Sequence, residues 1–292
     1  MTAVVSTSPL ARSYLFVPAN RPDRYGKALA SGADAVIVDL EDAVAPAAKT
    51  QARDTLADWL TQQANQQSNQ PANQQDKLWV RINAADTQWY DDDVRCFANA
   101  PIAGIVLPKA DDCDAIRNIA RHFVGPRSHS RLLPLIETAV GIAQMRDIAR
   151  ARHVERLVFG SIDLQVDLGI QCEPRESELT HLRVEMVIAS RLANIAQPVD
   201  GVTTTFDDLP FLEHAVSRAR RIGFGAKLCI HPRQVDIVNQ GFLPSAEEIA
   251  WARAVMAAVA QSDGGAISLN GKMIDKPVIM QAEKFLRQIG QT

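Results

Sequence analysis

Eight short apolar runs recur along the chain, each followed by a stretch with helical character. They are SYLFVPA from Ser13, AVIVDLED from Ala35, LWVRIN from Leu78 and GIVLPK from Gly104, then RLLPLIET from Arg131, RLVFGSID from Arg156, VDGVTTT from Val199 and AKLCIHP from Ala226. The runs are near-continuous rather than alternating, as strands covered on both faces should be. Repeated strand–helix units require crossover connections and therefore parallel strands. Eight units in about 230 residues point to a closed (β/α)8 TIM barrel. A doubly wound open sheet is the runner-up, but the first strand–helix turn, FVPANRP, lacks a GxGxxG fingerprint.

The intervening segments carry helix signals. Asn20-Arg21-Pro22 reads as an N-cap with proline just inside, and that helix should stop near Ser31-Gly32. Ala47 to Thr61 is alanine-rich, and Glu178 to Ala196 places Leu179, Leu182, Val187, Ile188 and Leu192 on broadly one side. The polar stretch from Gln62 to Asp76 cannot pack a core and reads as a flexible Gln/Asn-rich loop on the bottom of the barrel. From Gly241 the repeat ends. Ser245 should cap a helix reaching Gln261, SDGGAISLNGKMIDKP is a Gly-rich hinge, and Pro277 to Ile289 closes the chain as a helix. The expected organisation is a barrel over residues 1–240 and a C-terminal helical segment over 241–292, acting as a lid or inter-subunit arm.

Composition excludes several classes. A chain that is 47% hydrophobic and 22% charged, with formal net charge −3, has no basic stripe for nucleic acid. No apolar run approaches the ~18 residues of a membrane helix. The opening MTAVVSTSPLAR lacks a secretory pattern and reads as a loose tail. Cys96, Cys113, Cys172 and Cys229 form no close pair, which favours reduced thiols in a cytoplasmic protein.

Polar groups cluster at the ends of the runs: Asp39, Glu41 and Asp42, then Arg81 and Asn83, Lys109, Glu137, Asp163, Thr203 to Thr205, and His231. In a barrel all of these ends share one face, where the active site lies. Each has a plainer reading alone. Glu137 or Asp163 could cap a helix, Arg81 could serve a structural ion pair, and His231 could be a satisfied turn residue. Strand alternation puts Asp39 and Glu41 on one face with Ile37, so these acids should line a polar mouth rather than lie buried. Carboxylates from separate strands suit a hard cation such as Mg2+, and the absence of a His or Cys cluster argues against zinc. An arginine in the same bowl can hold a carboxylate or stabilise an enolate.

SYLFVPANRPDRYGKALASGADAVIVDLEDAV, followed in order by WVRIN, GIVLPK, PLIETAVGI, FGSIDL, CIHPRQV and GKMIDKP, resembles the citrate lyase β-subunit-like proteins. That group also holds the malyl-CoA and citramalyl-CoA lyases and the HpcH/HpaI aldolases. The resemblance covers nearly the whole chain. It implies a TIM barrel and Mg2+-dependent retro-Claisen cleavage of a 3-hydroxyacyl-CoA thioester to acetyl-CoA and a keto acid such as oxaloacetate. It implies Glu137 and Asp163 as metal ligands, with Glu41 and Asp42 beside the metal through its waters and Asp39 as structural support. Arg81 would contact substrate oxygens and stabilise the enolate, and Asp275 would be an acid/base brought by a neighbouring subunit of a homotrimer or hexamer. Arg21, Lys27 and Lys109 are the CoA-binding candidates. Four alternatives stay open: a malyl-CoA-type thioesterase, a citrate lyase subunit acting on an acyl-carrier protein, an aldolase for free hydroxy-keto acids, and a non-catalytic binding protein for CoA or a keto acid.

Overall fold

The computed structural model describes residues 10–66, 75–124, 130–261, 267–269 and 271–291. The eight apolar runs form parallel strands: β1 (Ser13–Pro18), β2 (Ala35–Asp39), β3 (Leu78–Arg81), β4 (Gly104–Leu107), β5 (Arg131–Ile136), β6 (Val158–Phe159), β7 (Val199–Asp200) and β8 (Ala226–Cys229). Each pairs with the next, and β1 pairs with β8, which closes the barrel. Around it lie α1 (Tyr25–Leu29), α2 (Lys49–Gln66), α3 (Tyr90–Phe97), α4 (Cys113–Arg121), α5 (Ala139–Arg150), α6 (Ser161–Leu168), α7 (Thr180–Leu192), α8 (Leu209–Ile222) and α9 (Val235–Gly241). Among the described residues no helix is long and apolar enough to cross a membrane.

Alternate residues of the strands meet in one core cluster: Tyr14, Ile37, Trp79, Val106, Leu133, Leu135, Val158, Val199 and Leu228. A contribution from every strand, at every second residue, is what the barrel interior requires. Trp79 fills this space because Gly104 on β4 has no side chain. A Cβ there would stand 2.6 Å from the Trp79 ring and 2.1 Å from the Arg131 carbonyl oxygen. Continued upward at period two, the inward series reaches Asp39 on β2 and Arg81 on β3, and reaches Glu137 just past β5.

The outward series of β7 and β8 carries charge. Asp200 accepts from Arg183 Nε of α7 at 2.8 Å and from Lys227 Nζ of β8 at 3.2 Å. Lys227 Nζ also donates to the Gly201 carbonyl at 2.6 Å. Burial alone would raise the Asp200 carboxyl, but Lys227 and Arg183 hold it far below the ordinary carboxylate range.

Several local expectations change. The first helix has no side-chain cap at Asn20. A short 3-10 turn, Pro22–Arg24, starts there with Arg21 at its cap position and leads into the five residues of α1. The Gln/Asn-rich stretch is not all loop. Residues 62–66 continue α2, Gln75–Lys77 form a 3-10 turn, and 67–74 lie outside the described residues. The buried side of α7 carries Leu182, Arg183, Met186, Ala189 and Ser190, which leaves Ile188 and Leu192 exposed. Arg183 claims the inner face because Asp200 is there. The expected N-terminal tail falls almost wholly outside the described residues.

The chain divides into two compact units between Asn239 and Gln240. The second holds α10 (Ala246–Ala260), an antiparallel hairpin of β9 (Ile267–Leu269) and β10 (Lys272–Ile274), and α11 (Lys276–Gln288). Ser245 caps α10 in a capping box with Glu248. Ala252, Val255, Ile274, Ala282 and Phe285 form this unit's own core. The hinge expected between the two helices contains the hairpin, and residues 262–266 lie outside the described set.

The charge cluster behind β7 generates a prediction. A depressed folded-state pKa stabilises above the unfolded value of about 3.9, and that stabilisation is lost as pH falls below it. Asp200→Ala should cost about 3–5 kcal/mol near neutrality, because two buried cations lose their carboxylate. The difference in urea stability from wild type should shrink below about pH 4. A difference that stays constant down to low pH would show that Asp200 does not titrate this way.

Candidate active site

The strand ends open into a cavity of about 940 Å3 lined by residues of the β1, β2, β3, β5, β6, β7 and β8 ends. Of the expected site residues, Arg21, Lys27, Asp42, Arg81, Glu137 and Asp163 line it, together with Asp39 and His231. Asn83 and Lys109 take part differently, as does Glu41.

Arg81 organises one side. Its Nε and Nη2 donate to the two oxygens of Asp39, each at 2.7 Å. Its Nη1 lies 2.8 Å from Glu41 Oε2 and 3.5 Å from Asp42 Oδ2. The guanidinium also sits over the Phe16 ring, 4.9 Å from its centre. Asp39 has a second duty: its oxygens accept from the Glu41 and Ala43 main-chain N–H groups at 2.9 and 3.2 Å, folding the loop back over the strand.

The acids at this end are more buried than alternation alone implies. Asp39 is 3% exposed and Glu41 6%, and only Asp42 faces solvent. Burial is tolerated here because Arg81 is buried with them. Glu41 is the less well compensated. Its contact with Arg81 is not aligned as a hydrogen bond, so Oε2 has no hydrogen-bond donor among the described residues. Lys109 Nζ is 3.8 Å from the other oxygen. Burial pushes the Glu41 carboxyl up to about 7, with Asp42 and Asp39 adding to the shift and Arg81 opposing it.

Glu137 lies opposite. It does not cap α5; Thr138 does, accepting from the Gly141 N–H at 2.9 Å. Oε1 of Glu137 accepts from the Lys109 main-chain N–H at 2.8 Å, and the buried Oε2 has no hydrogen-bond partner among the described residues. Burial, followed by the nearby charge of Glu41, drives this carboxyl well above its ordinary value, and Asp163 adds to the rise. Gly160 keeps the space open, since a Cβ there would stand 2.7 Å from Glu137 Oε2.

Asp163 lies in the first turn of α6, a helix whose start, Gly160, has no side-chain cap. The neighbouring Ser161 hydroxyl is buried and unpartnered. Uncapped main-chain N–H groups at a helix start attract an anion, and the first residues of α6, Ser161 to Asp163, line the cavity.

The oxygen donor set fits a hard divalent cation. A buried carboxylate oxygen with no donor, a second acid on the next turn and a glycine-made space are what such an ion needs. Among the described residues no group of three or more His, Cys, Asp or Glu side chains is arranged to hold a metal. Glu137 and Asp163 are the side chains that could hold such an ion, one that keeps several of its waters as Mg2+ does.

Other expected residues find structural places. Asn83 is buried and accepts from Lys49 Nζ at 2.6 Å, while donating to Asp93 at 2.7 Å. His231 caps the 3-10 turn Pro232–Gln234 and stacks on Phe206, 4.9 Å between ring centres. Thr203 is buried, and its carbonyl accepts from Gln234. Lys109 contributes chiefly through its main-chain N–H. Asp275 belongs to the second unit, where it caps α11 by accepting from the Val278 N–H at 3.2 Å.

Arg24, Lys49, Gly160 and Ser161 were not legible as site residues in the sequence. Arg24 lines the cavity beside Arg21 and Lys27. The available signal was the spacing of three between Arg21, Arg24 and Lys27 in the sequence after β1.

The chain matches the HpcH/HpaI aldolase/citrate lyase family over residues 12–232, and it belongs to that family. It is accordingly a carbon–carbon lyase of the citrate lyase β-subunit-like kind. It is 34% identical to a citrate lyase subunit beta-like protein of Mycobacterium tuberculosis over 284 residues, covering 95% of each chain. A (3S)-malyl-CoA thioesterase of Cereibacter sphaeroides is 31% identical over 94% of this chain and 93% of its own. The crystal structure of CitE from M. tuberculosis in complex with magnesium, acetoacetate and coenzyme A superposes with TM-score 0.80 at 32% identity, covering 96% of this chain and 98% of that one.

The Arg81–Asp39 pair makes a measurable prediction. Arg81→Leu should destabilise by about 3–5 kcal/mol by stranding Asp39 and Glu41. Adding Asp39→Leu should cost less than the sum of the single changes. Additive losses in a double-mutant cycle would show that the two side chains are energetically independent.

Proposed function

We propose that this protein cleaves a 3-hydroxyacyl-CoA thioester to acetyl-CoA and a keto acid in a Mg2+-dependent retro-Claisen reaction. The observation that carries the reading is the buried, unpartnered Glu137 Oε2 beside Asp163, in a space kept open by Gly160. The CitE structure that this chain resembles was solved with magnesium, acetoacetate and coenzyme A, which supports the same ligand classes here.

Glu137 and Asp163 would hold the ion, with Glu41 and Asp42 reaching its waters. Bound there, Mg2+ would supply a Lewis acid for the substrate hydroxyl and its neighbouring carboxylate. The uncapped N–H groups at the start of α6 receive the keto-acid carboxylate. Asp39 takes the Nε–H and one Nη2–H of Arg81, and Nη1 faces Glu41 and Asp42. A base removes the substrate hydroxyl proton, and the carbon–carbon bond breaks with its electron pair passing into the thioester as an enolate. The second Nη2–H is the donor that stabilises that enolate oxygen until its carbon is protonated. Arg21, Arg24 and Lys27 are a cationic rim suited to the CoA phosphates. Asp275 is the acid/base toward the acetyl methyl carbon, delivered within a trimer or hexamer in which residues 241–292 form the inter-subunit arm.

The test is acetyl-CoA release from citramalyl-, malyl- and citryl-CoA, with and without EDTA. Cleavage of at least one, abolished by EDTA and restored by Mg2+, is expected; cleavage indifferent to Mg2+ would refute the metal assignment. Glu137→Gln and Gly160→Ala should both lose Mg2+ binding by calorimetry. Asp275→Asn should keep Mg2+ binding and lose turnover about a hundredfold or more. Asparagine caps helices as well as aspartate does, so α11 is spared. Unchanged turnover in Asp275→Asn would remove Asp275 from the mechanism.

A second reading is favoured by the malyl-CoA thioesterase relative. The same site would then release free CoA and a hydroxy acid, and free thiol without acetyl-CoA would identify it. Turnover only with an acyl-carrier protein would instead mark a citrate lyase subunit.

A further inference from the structure

Lys49 opens α2 and is 7% exposed. An ammonium group carries three donors, and burying it is costly unless all are used. Here all three are used. Nζ donates to the Leu40 carbonyl at 3.0 Å, the Glu41 carbonyl at 2.9 Å and Asn83 Oδ1 at 2.6 Å. It also lies 5.2 Å from the centre of the Trp89 ring.

The acceptors are informative. Leu40 and Glu41 belong to the loop that carries the site acids, and Lys49 takes their main-chain oxygens. Arg81 meets the Glu41 side chain at 2.8 Å. Glu41 is thus held through its carbonyl by one buried cation and through its carboxylate by another.

The third acceptor ties Lys49 to a longer chain of contacts. Asn83 donates its main-chain N–H and its Nδ2 to Asp93 Oδ2 at 2.9 and 2.7 Å. Asp93 in turn pairs with Arg53 Nη1 at 3.2 Å. Lys49 and Arg53 are one turn apart on α2, so this helix grips the ends of both β2 and β3. Those two strand ends supply Asp39, Glu41, Asp42 and Arg81.

We infer that Lys49 is a positioning residue of the active site: it fixes the Leu40–Glu41 backbone so that the Glu41 carboxylate stays against Arg81 and beside the metal position. The inference rests on the lyase reading given above. A residue that merely stabilised the fold would change the melting midpoint. A residue that positions Glu41 changes metal affinity and kcat as well.

Lys49→Met and Lys49→Arg in the full chain separate the two. Mg2+ affinity is measured by calorimetry, the thermal midpoint by scanning fluorimetry, and kcat and KM on whichever thioester the wild type cleaves. Lys49→Met should weaken Mg2+ binding about 10- to 100-fold, the range for loss of an outer-shell partner, and lower kcat to a similar extent. KM for the thioester should change less than about threefold, because Lys49 touches no substrate group. Lys49→Arg keeps the charge but not the compact donor geometry, so it should fall between wild type and Lys49→Met. If Lys49→Met does not fold, Lys49→Arg alone decides. A folded variant of either kind with wild-type Mg2+ affinity and kcat overturns the assignment, whatever its thermal midpoint. A wild-type chain that neither binds Mg2+ nor cleaves a thioester overturns the lyase reading instead.

Discussion

The mouth of the barrel depends on the ion pair between Asp39 and Arg81. The two residues are register partners on neighbouring strands, and both belong to the inward-facing series. Neither could be buried there alone, since an isolated charge in a low-dielectric interior is prohibitively costly. Joined by two 2.7 Å hydrogen bonds, they form a rigid planar unit. The loop after β2 folds over Asp39, and Glu41 and Asp42 then fall on the remaining edge of the guanidinium. The charge balance that results is incomplete. Among the described residues, Asp39, Glu41, Asp93 and Glu137 are the buried acids at this end, and Lys49, Arg53 and Arg81 the buried cations. Were every one of these acids ionised, negative charge would be in excess toward Glu41 and Glu137, which is where burial raises the carboxyls and where a divalent ion would offset it.

Different forces secure the other side of the barrel. β6 and β7 are two residues long, so their ladders supply few main-chain hydrogen bonds. Side chains take over part of that work. Lys227 binds the Gly201 carbonyl, and Arg183 ties α7 to Asp200. The cavity wall at Phe159, Gly160 and Val202 is therefore held partly from behind, by a buried ion cluster that does not touch the cavity chemistry.

Much of this was legible in the sequence, for identifiable reasons. Every strand announced itself because a wall buried on both faces needs an unbroken apolar run. Period-two alternation placed Asp39 and Glu41 on the side of Ile37, and the polar ends marked Arg81, Glu137 and Asp163. What alternation could not reveal was burial. Asp39 and Glu41 are enclosed because Arg81 accompanies them, and that partner sits 42 and 40 positions away. Lys49 was hidden for a similar reason: a lysine opening an alanine-rich helix looks like any solvated one. His231 and Asn83 were placed at the right face but serve turns and supports. The outer helix α7 misled through its composition, since a buried arginine on the inner face turned Ile188 and Leu192 outward.

One detail of the Glu137 anchor separates two properties that usually vary together. The group that fixes Oε1 is the main-chain N–H of Lys109, offered by a residue with φ of 44°, in the left-handed region. The side chain at this position projects to the exposed rim. Evolution can therefore change what stands at position 109, and with it the charge that an approaching substrate meets, while the carboxylate beneath keeps its support. Admission to the cavity and support of the buried carboxylate are thereby set by different atoms of one residue.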